Sequence, residues 1–159
     1  RSKCFTSIGH PGESEETIYA LRDWIIDSKP DDFDVTVVSV YPSSPYWDNS
    51  ELYKETENGR KIRRYMKRSR NPQENGATLY FEEVDYTKEF AFYKGRPGEY
   101  TSHVWTPELS KEDLVRLRDK VEDDARKALG LSYPIRHSGD TFEHSMAAGR
   151  NDPRTEVKV

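Results

Sequence analysis

Apolar residues along the chain fall into two periodicities. The run Lys3-Cys4-Phe5-Thr6-Ser7-Ile8 reads as a short strand, and Gly9-His10-Pro11-Gly12 stops it. Ile18, Leu21 and Ile25, with Trp24 alongside, then recur at helical spacing behind Ser14, a good helix cap, and Pro30 closes that helix. Glu13, Glu15 and Glu16 suit the positive end of the helix dipole. Phe33, Val35, Val37, Val38 and Val40 give a β-branched strand, apolar on both sides, that ends at Tyr41-Pro42-Ser43-Ser44-Pro45. Strand, helix and strand in succession predict a βαβ unit with a parallel pair. The pattern changes after Trp47. Residues 48–75 are polar, with a helix predicted over 60–68. Residues 78–93 are rich in aromatics and predict a long strand, or a hairpin turning near Asp85–Lys88. Tyr100–Trp105 reads as a further short strand. A helix is predicted over 111–129: Ser110 caps it with Asp113 in a box position, and Leu109 and Leu114 form a staple. Leu114, Leu117, Val121 and Ala125 or Leu129 make the buried stripe, and Gly130 ends the helix. The polar residues 135–159 read as a tail.

Composition sharpens this picture. Of the 159 residues 33% are apolar and 34% charged, a poor core for the length. Such a chain either carries a tail or buries a face against something else. It starts at Arg1 rather than Met, which predicts a chain that is processed, cleaved or cut from something larger. No stretch is long and apolar enough for a membrane span. The single cysteine, Cys4, excludes a disulfide framework and any cysteine-rich metal site built from this chain alone, and makes a cytoplasmic setting the expectation. The net charge of -4 argues against nucleic acid as a partner.

Ile8-Gly9-His10-Pro11-Gly12-Glu13 is the most informative segment. It is a glycine-bearing turn at the carboxyl end of a parallel strand, the edge where α/β proteins bind ligands. A plain tight turn is the competing reading. With Ser14-Glu15-Glu16-Thr17, the following helix, Pro30-Asp31, Phe33-Asp34-Val35 and Tyr41-Pro42-Ser43-Ser44-Pro45-Tyr46, this segment resembles the late part of a radical S-adenosylmethionine (radical SAM) enzyme. Members of that family often carry a G-F-P-G-E-T-E-E turn after the fifth barrel strand and a P-Y-P-G-T-P-like segment after the sixth. The resemblance covers residues 4–47 and is nearest to members with an upstream cobalamin-binding domain.

The resemblance implies an α/β fold: the last βαβ unit of a partial (β/α) barrel over 1–47, then an α+β extension over 48–134 with an antiparallel hairpin and a long helix, then the tail. It implies S-adenosylmethionine and a [4Fe-4S] cluster as cofactors of the parent protein, cobalamin as a further one, and a small-molecule or carrier-bound substrate. It places Ile8, Gly9, Pro11, Gly12, Val40, Tyr41 and Pro42 on the adenine side of the cofactor. Ser43 stands where the family usually has Gly. The C-x-x-x-C-x-x-C cluster loop is missing, so the isolated chain is expected to be inactive and to need the upstream residues of its barrel.

A second class of function is a binding module. Arg60, Lys61, Arg63, Arg64, Lys67, Arg68 and Arg70 are seven cations in eleven residues, and Arg60, Arg63, Arg64 and Lys67 are the candidate anion contacts. A solvated face, partly neutralised by Glu51, Glu55 and Glu57, is the alternative. The four histidines show no metal-ligand spacing, although His10 sits inside the candidate turn. Tyr80, Phe81, Tyr86, Phe90, Phe92 and Tyr93 read as a packed sheet face rather than a base-stacking platform, because Glu82, Glu83, Asp85 and Glu89 interleave with them.

Overall fold

The computed structural model describes residues 2–89 and 97–133. Strand β1 (Lys3–Ile8) pairs in parallel with β2 (Asp32–Val37), Cys4 opposite Phe33 and Ile8 opposite Val37. Helix α1 (Glu15–Ser28) connects them, as its caps dictate. Ser14 accepts the Thr17 amide, Thr17 returns the bond to the Ser14 amide, and Lys29 ends the helix in the left-handed conformation just before Pro30. The predicted βαβ unit is present.

The chain then makes a single helical turn, α2 (Pro45–Asp48), and enters an antiparallel sheet ordered β3 (Ser50–Glu55), β4 (Lys61–Met66), β5 (Thr78–Glu82) and β6 (Val104–Trp105). Here the structure corrects the sequence reading. The helix expected over 60–68 is the strand β4, hydrogen-bonded on both edges. Asn58-Gly59, with Gly59 at φ 74°, forms the hairpin turn that commits both flanking segments to strand. The cations therefore alternate between faces instead of sharing one. The aromatic segment yields the short strand β5 and a turn at residues 86–88, while Phe90, Phe92, Tyr93 and the tail at 135–159 lie outside the described residues.

Helix α3 (Lys111–Leu129) has the expected capping box between Ser110 and Asp113, and Gly130 at φ 68° closes it. Leu114, Leu117, Val121 and Ala125 pack against α1 and β2, so one core joins Ile8, Ile18, Ile25, Phe33, Val35 and Val37 to Leu79, Phe81 and Val104 of the sheet. The fold is thus mixed α/β, with a parallel pair, a four-stranded antiparallel sheet and a C-terminal helix among the described residues. No helix there is long and apolar enough to cross a membrane.

The outer edge of β2 is closed by side chains. Outward-pointing main-chain groups of a strand need partners, normally another strand. Glu122 Oε2 accepts the Val35 amide at 3.0 Å, and Arg118 Nε donates to the Val35 carbonyl at 2.8 Å. Arg126 Nη2 donates to the Phe33 carbonyl at 2.7 Å, and the Tyr100 hydroxyl accepts the Val37 amide at 2.8 Å. The charges balance in pairs: Arg126 Nε lies 2.6 Å from Glu122, and Arg118 lies 2.9 Å from Asp119. Both guanidiniums also lie over rings, Arg118 over Tyr100 and Arg126 over Phe33. Glu122 and Arg126 are each only 2% exposed, so the network belongs to the core.

Candidate functional site

The turn after β1 is built by its glycines and by Glu13. Gly9 sits at φ 89°, and a Cβ there would lie 3.3 Å from side-chain carbons of Leu114 and Val37. Gly12 has the same φ, with Ala77 at 3.4 Å from such a Cβ. Glu13 Oε2 accepts two amides, Gly9 N at 2.6 Å and His10 N at 2.9 Å, and the Glu13 amide donates back to the His10 carbonyl. The turn's anion-binding amides are therefore filled by the chain's own carboxylate. Those two amides are thus not available to a phosphate.

The structure places the residues expected around the adenine group in two layers. Ile8 and Val40 are buried in the core, where they support the turn from beneath. Gly9 is also buried, Pro11 is half-buried, and Gly12, Tyr41 and Pro42 are exposed. The Val38 amide donates to the Ile8 carbonyl at 2.8 Å, bringing the ends of both strands together. Ser43, at φ 66°, holds the left-handed conformation that glycine adopts most easily.

Beside the turn lies a group that the sequence reading missed in part. His10 Nε2 is 2.7 Å from Ser7 Oγ, and His10 Nδ1 is 2.9 Å from the Tyr46 hydroxyl. Tyr46 packs edge-on against Tyr65, with centroids 4.8 Å apart. Burial first, then Tyr65 and Glu13, push the Tyr46 phenol above its usual range, so it keeps its proton. His10 carried a sequence signal, but Tyr46 lies 36 residues away and only folding reveals the contact.

The candidate anion contacts are already paired. Arg64 bonds Glu51, Arg63 lies 3.1 Å from Glu83, Lys67 2.7 Å from Glu74, and Arg60 3.7 Å from Glu82. Arg63 also stacks on Trp47. A surface recess beside Arg64 and Arg68 is lined equally by Asp48 and Glu51. On the outer face of the sheet Tyr80 stacks on Trp105 and Tyr53 leans on Tyr80 at 56°, with Arg64 over Tyr53 and Lys111 over Trp105 at the two ends. Tyr80 and Trp105 thus already use one ring face on each other. Glu82 takes Lys111 at 2.6 Å and His103 at 3.2 Å; burial raises its pKa, but these partners outweigh it and hold the carboxyl below the usual range.

No group of His, Cys, Asp and Glu able to hold a metal occurs among the described residues, and Cys4 is the sole cysteine of the chain. Comparison with known protein families, curated proteins and solved structures finds no match to the chain.

Proposed function

We propose that this chain is the carboxyl-terminal portion of a radical SAM enzyme, comprising the last βαβ unit of a partial barrel and its α+β extension. The closed outer edge of β2 carries this reading. Phe33, Val35 and Val37 spend their outward main-chain groups on Tyr100, Arg118, Glu122 and Arg126, so no strand can be added there. A parallel pair sealed on that side is the end of a sheet, and further parallel strands would have to join at β1. A sixth and last barrel strand followed by an extension fits that asymmetry.

In this reading the parent enzyme cleaves S-adenosylmethionine reductively at a [4Fe-4S] cluster and forms a 5′-deoxyadenosyl radical. The cluster ligands belong to the upstream barrel. This chain's part is binding: the main chain at Gly9, Pro11 and Gly12 and the exposed Tyr41 and Pro42 offer a flat, uncharged surface, with Glu13 keeping anions off the turn amides. Cobalamin would go with a domain further upstream, and the substrate, a small molecule or one held on a carrier, with the joined barrel and extension.

Anaerobic reconstitution with iron and sulfide tests the proposal. The chain alone is expected to assemble no cluster. The polypeptide extended on the amino side of Arg1 is expected to hold one and to release 5′-deoxyadenosine from S-adenosylmethionine. A cluster held by this chain alone, or an extended polypeptide that does neither, overturns the reading. The rival reading, a binding module acting through Arg60, Arg63, Arg64 and Lys67, has less support because those cations already have carboxylate partners.

A further inference from the structure

The geometry points to a binding site for a small organic monocarboxylate in the recess between the end of β5, the segment leading into β6 and the first turns of α3. The inference goes beyond the barrel reading and stands without it.

The recess holds about 520 Å³, within the size range of small-molecule pockets. Val115 and the buried Tyr100 give it an apolar wall. Three cations, Arg60, Lys111 and Arg116, and two carboxylates, Glu82 and Glu112, also line it. An apolar wall joined to a few charged groups is the composition of a ligand pocket rather than of a solvated face. The first amides of α3 take no part, because Ser110 and Asp113 already cap the helix.

How the cations are held decides the charge of the ligand. Glu82 has Lys111 at 2.6 Å and His103 at 3.2 Å, so Lys111 is committed. Arg60 reaches the same carboxylate only at 3.7 Å, and its side chain is 68% exposed. Releasing Arg60 still leaves Glu82 with two partners. Arg116 is half exposed and lies 3.4 Å from both Glu15 and Asp113. Each of those carboxylates has another partner, Tyr19 for Glu15 and Ser110 for Asp113. The two arginines can therefore turn to an incoming anion without stranding a charge, and exposed pairs cost little to exchange. Their planar guanidiniums match a carboxylate. A dianion would meet Glu82 and Glu112 in the same recess. The ligand class is thus a monocarboxylate whose apolar or aromatic body lies against Tyr100 and Val115.

Titration of the wild-type chain with phenylacetate, followed by amide NMR, is the test. The amide signals of Thr101 and Val115, both in the lining, are expected to move saturably. The dissociation constant should be about 1–10 mM, which is what a ligand of about ten non-hydrogen atoms supports. Phenethylammonium, of similar shape and opposite charge, is expected to leave those signals in place. So is inorganic phosphate, an anion without an apolar body. Arg60→Gln and Arg116→Gln should each weaken phenylacetate about three- to tenfold. Both side chains are at least half exposed, so these variants keep the fold. Lys120→Gln makes the same charge change on α3 outside the recess and should leave the affinity unchanged. Absence of a saturable phenylacetate shift, equal binding of either control probe, indifference to both arginine variants, or an equal loss with Lys120→Gln would each overturn the proposal.

Discussion

Two sets of arginines in this molecule are built from the same residue types and do different things. Arg118 and Arg126 lie in the core and spend their guanidiniums on main-chain carbonyls of β2. Arg60 and Arg64 lie around β4 near solvent and spend theirs on carboxylates, while Arg63 divides its guanidinium between Ser50 and Glu83. In the first set a charge replaces a missing strand, and losing one partner strands the rest in a low-dielectric site. In the second set water can replace the partners of Arg60 and Arg64 at little cost, whereas Arg63 is held over Trp47. Proximity of opposite charges therefore says little by itself. Burial, and whether main-chain groups depend on the pair, decide its weight.

Glu122→Ala breaks that comparison most severely. It leaves Arg118 and Arg126 buried without their shared carboxylate and removes the acceptor of the Val35 amide. A loss of about 3–5 kcal/mol is expected in denaturant unfolding, a large part of an ordinary domain's stability. A loss below that of a surface pair would show that the network does not seal β2. Gly9→Ala comes next. The left-handed φ and the crowding by Leu114 and Val37 together predict a loss of about 1–3 kcal/mol. An unchanged midpoint would mean that the turn relaxes freely.

Acid should act more gently, through Glu82. Its folded-state pKa lies below the unfolded value, so its contribution is complete above the ordinary carboxylate range and is lost as pH falls through the folded pKa. Unfolding midpoints measured from neutral pH downward should fall below pH ~4, and Glu82→Gln should flatten that fall. A decline as steep in the variant as in the wild type would assign it to other carboxylates. Arg64→Ala is the smallest case: its exposed pairing with Glu51 predicts a change of about 0–1 kcal/mol. A loss approaching that of Glu122→Ala would erase the distinction between the two sets.

What was legible in the sequence follows the same division. The βαβ unit and α3 announce themselves because their apolar residues keep a period and their ends carry Ser14, Pro30, Ser110 and Gly130. The hairpin of β3 and β4 was obscured because alternation there runs through charged residues, where Arg63 packs inward on Trp47 and Arg64 faces out. Asn58-Gly59 was the signal that could have found it. The sealed edge was hidden for another reason. Arg118, Glu122 and Arg126 recur at helical spacing, as charges on a solvated face also do, and only the approach of β2 buries them. Within the candidate site, Gly9 to Glu13 stood out as a turn, whereas the double amide bond to Glu13 and the contact of His10 with Tyr46 depend on geometry that no local pattern encodes.

The central claim, that β2 ends a barrel whose other strands precede β1, is tested most directly by the coding frame on the amino side of Arg1. The account predicts an in-frame series of strand and helix units containing a C-x-x-x-C-x-x-C loop. An unrelated domain, or a start codon at that point, would contradict it.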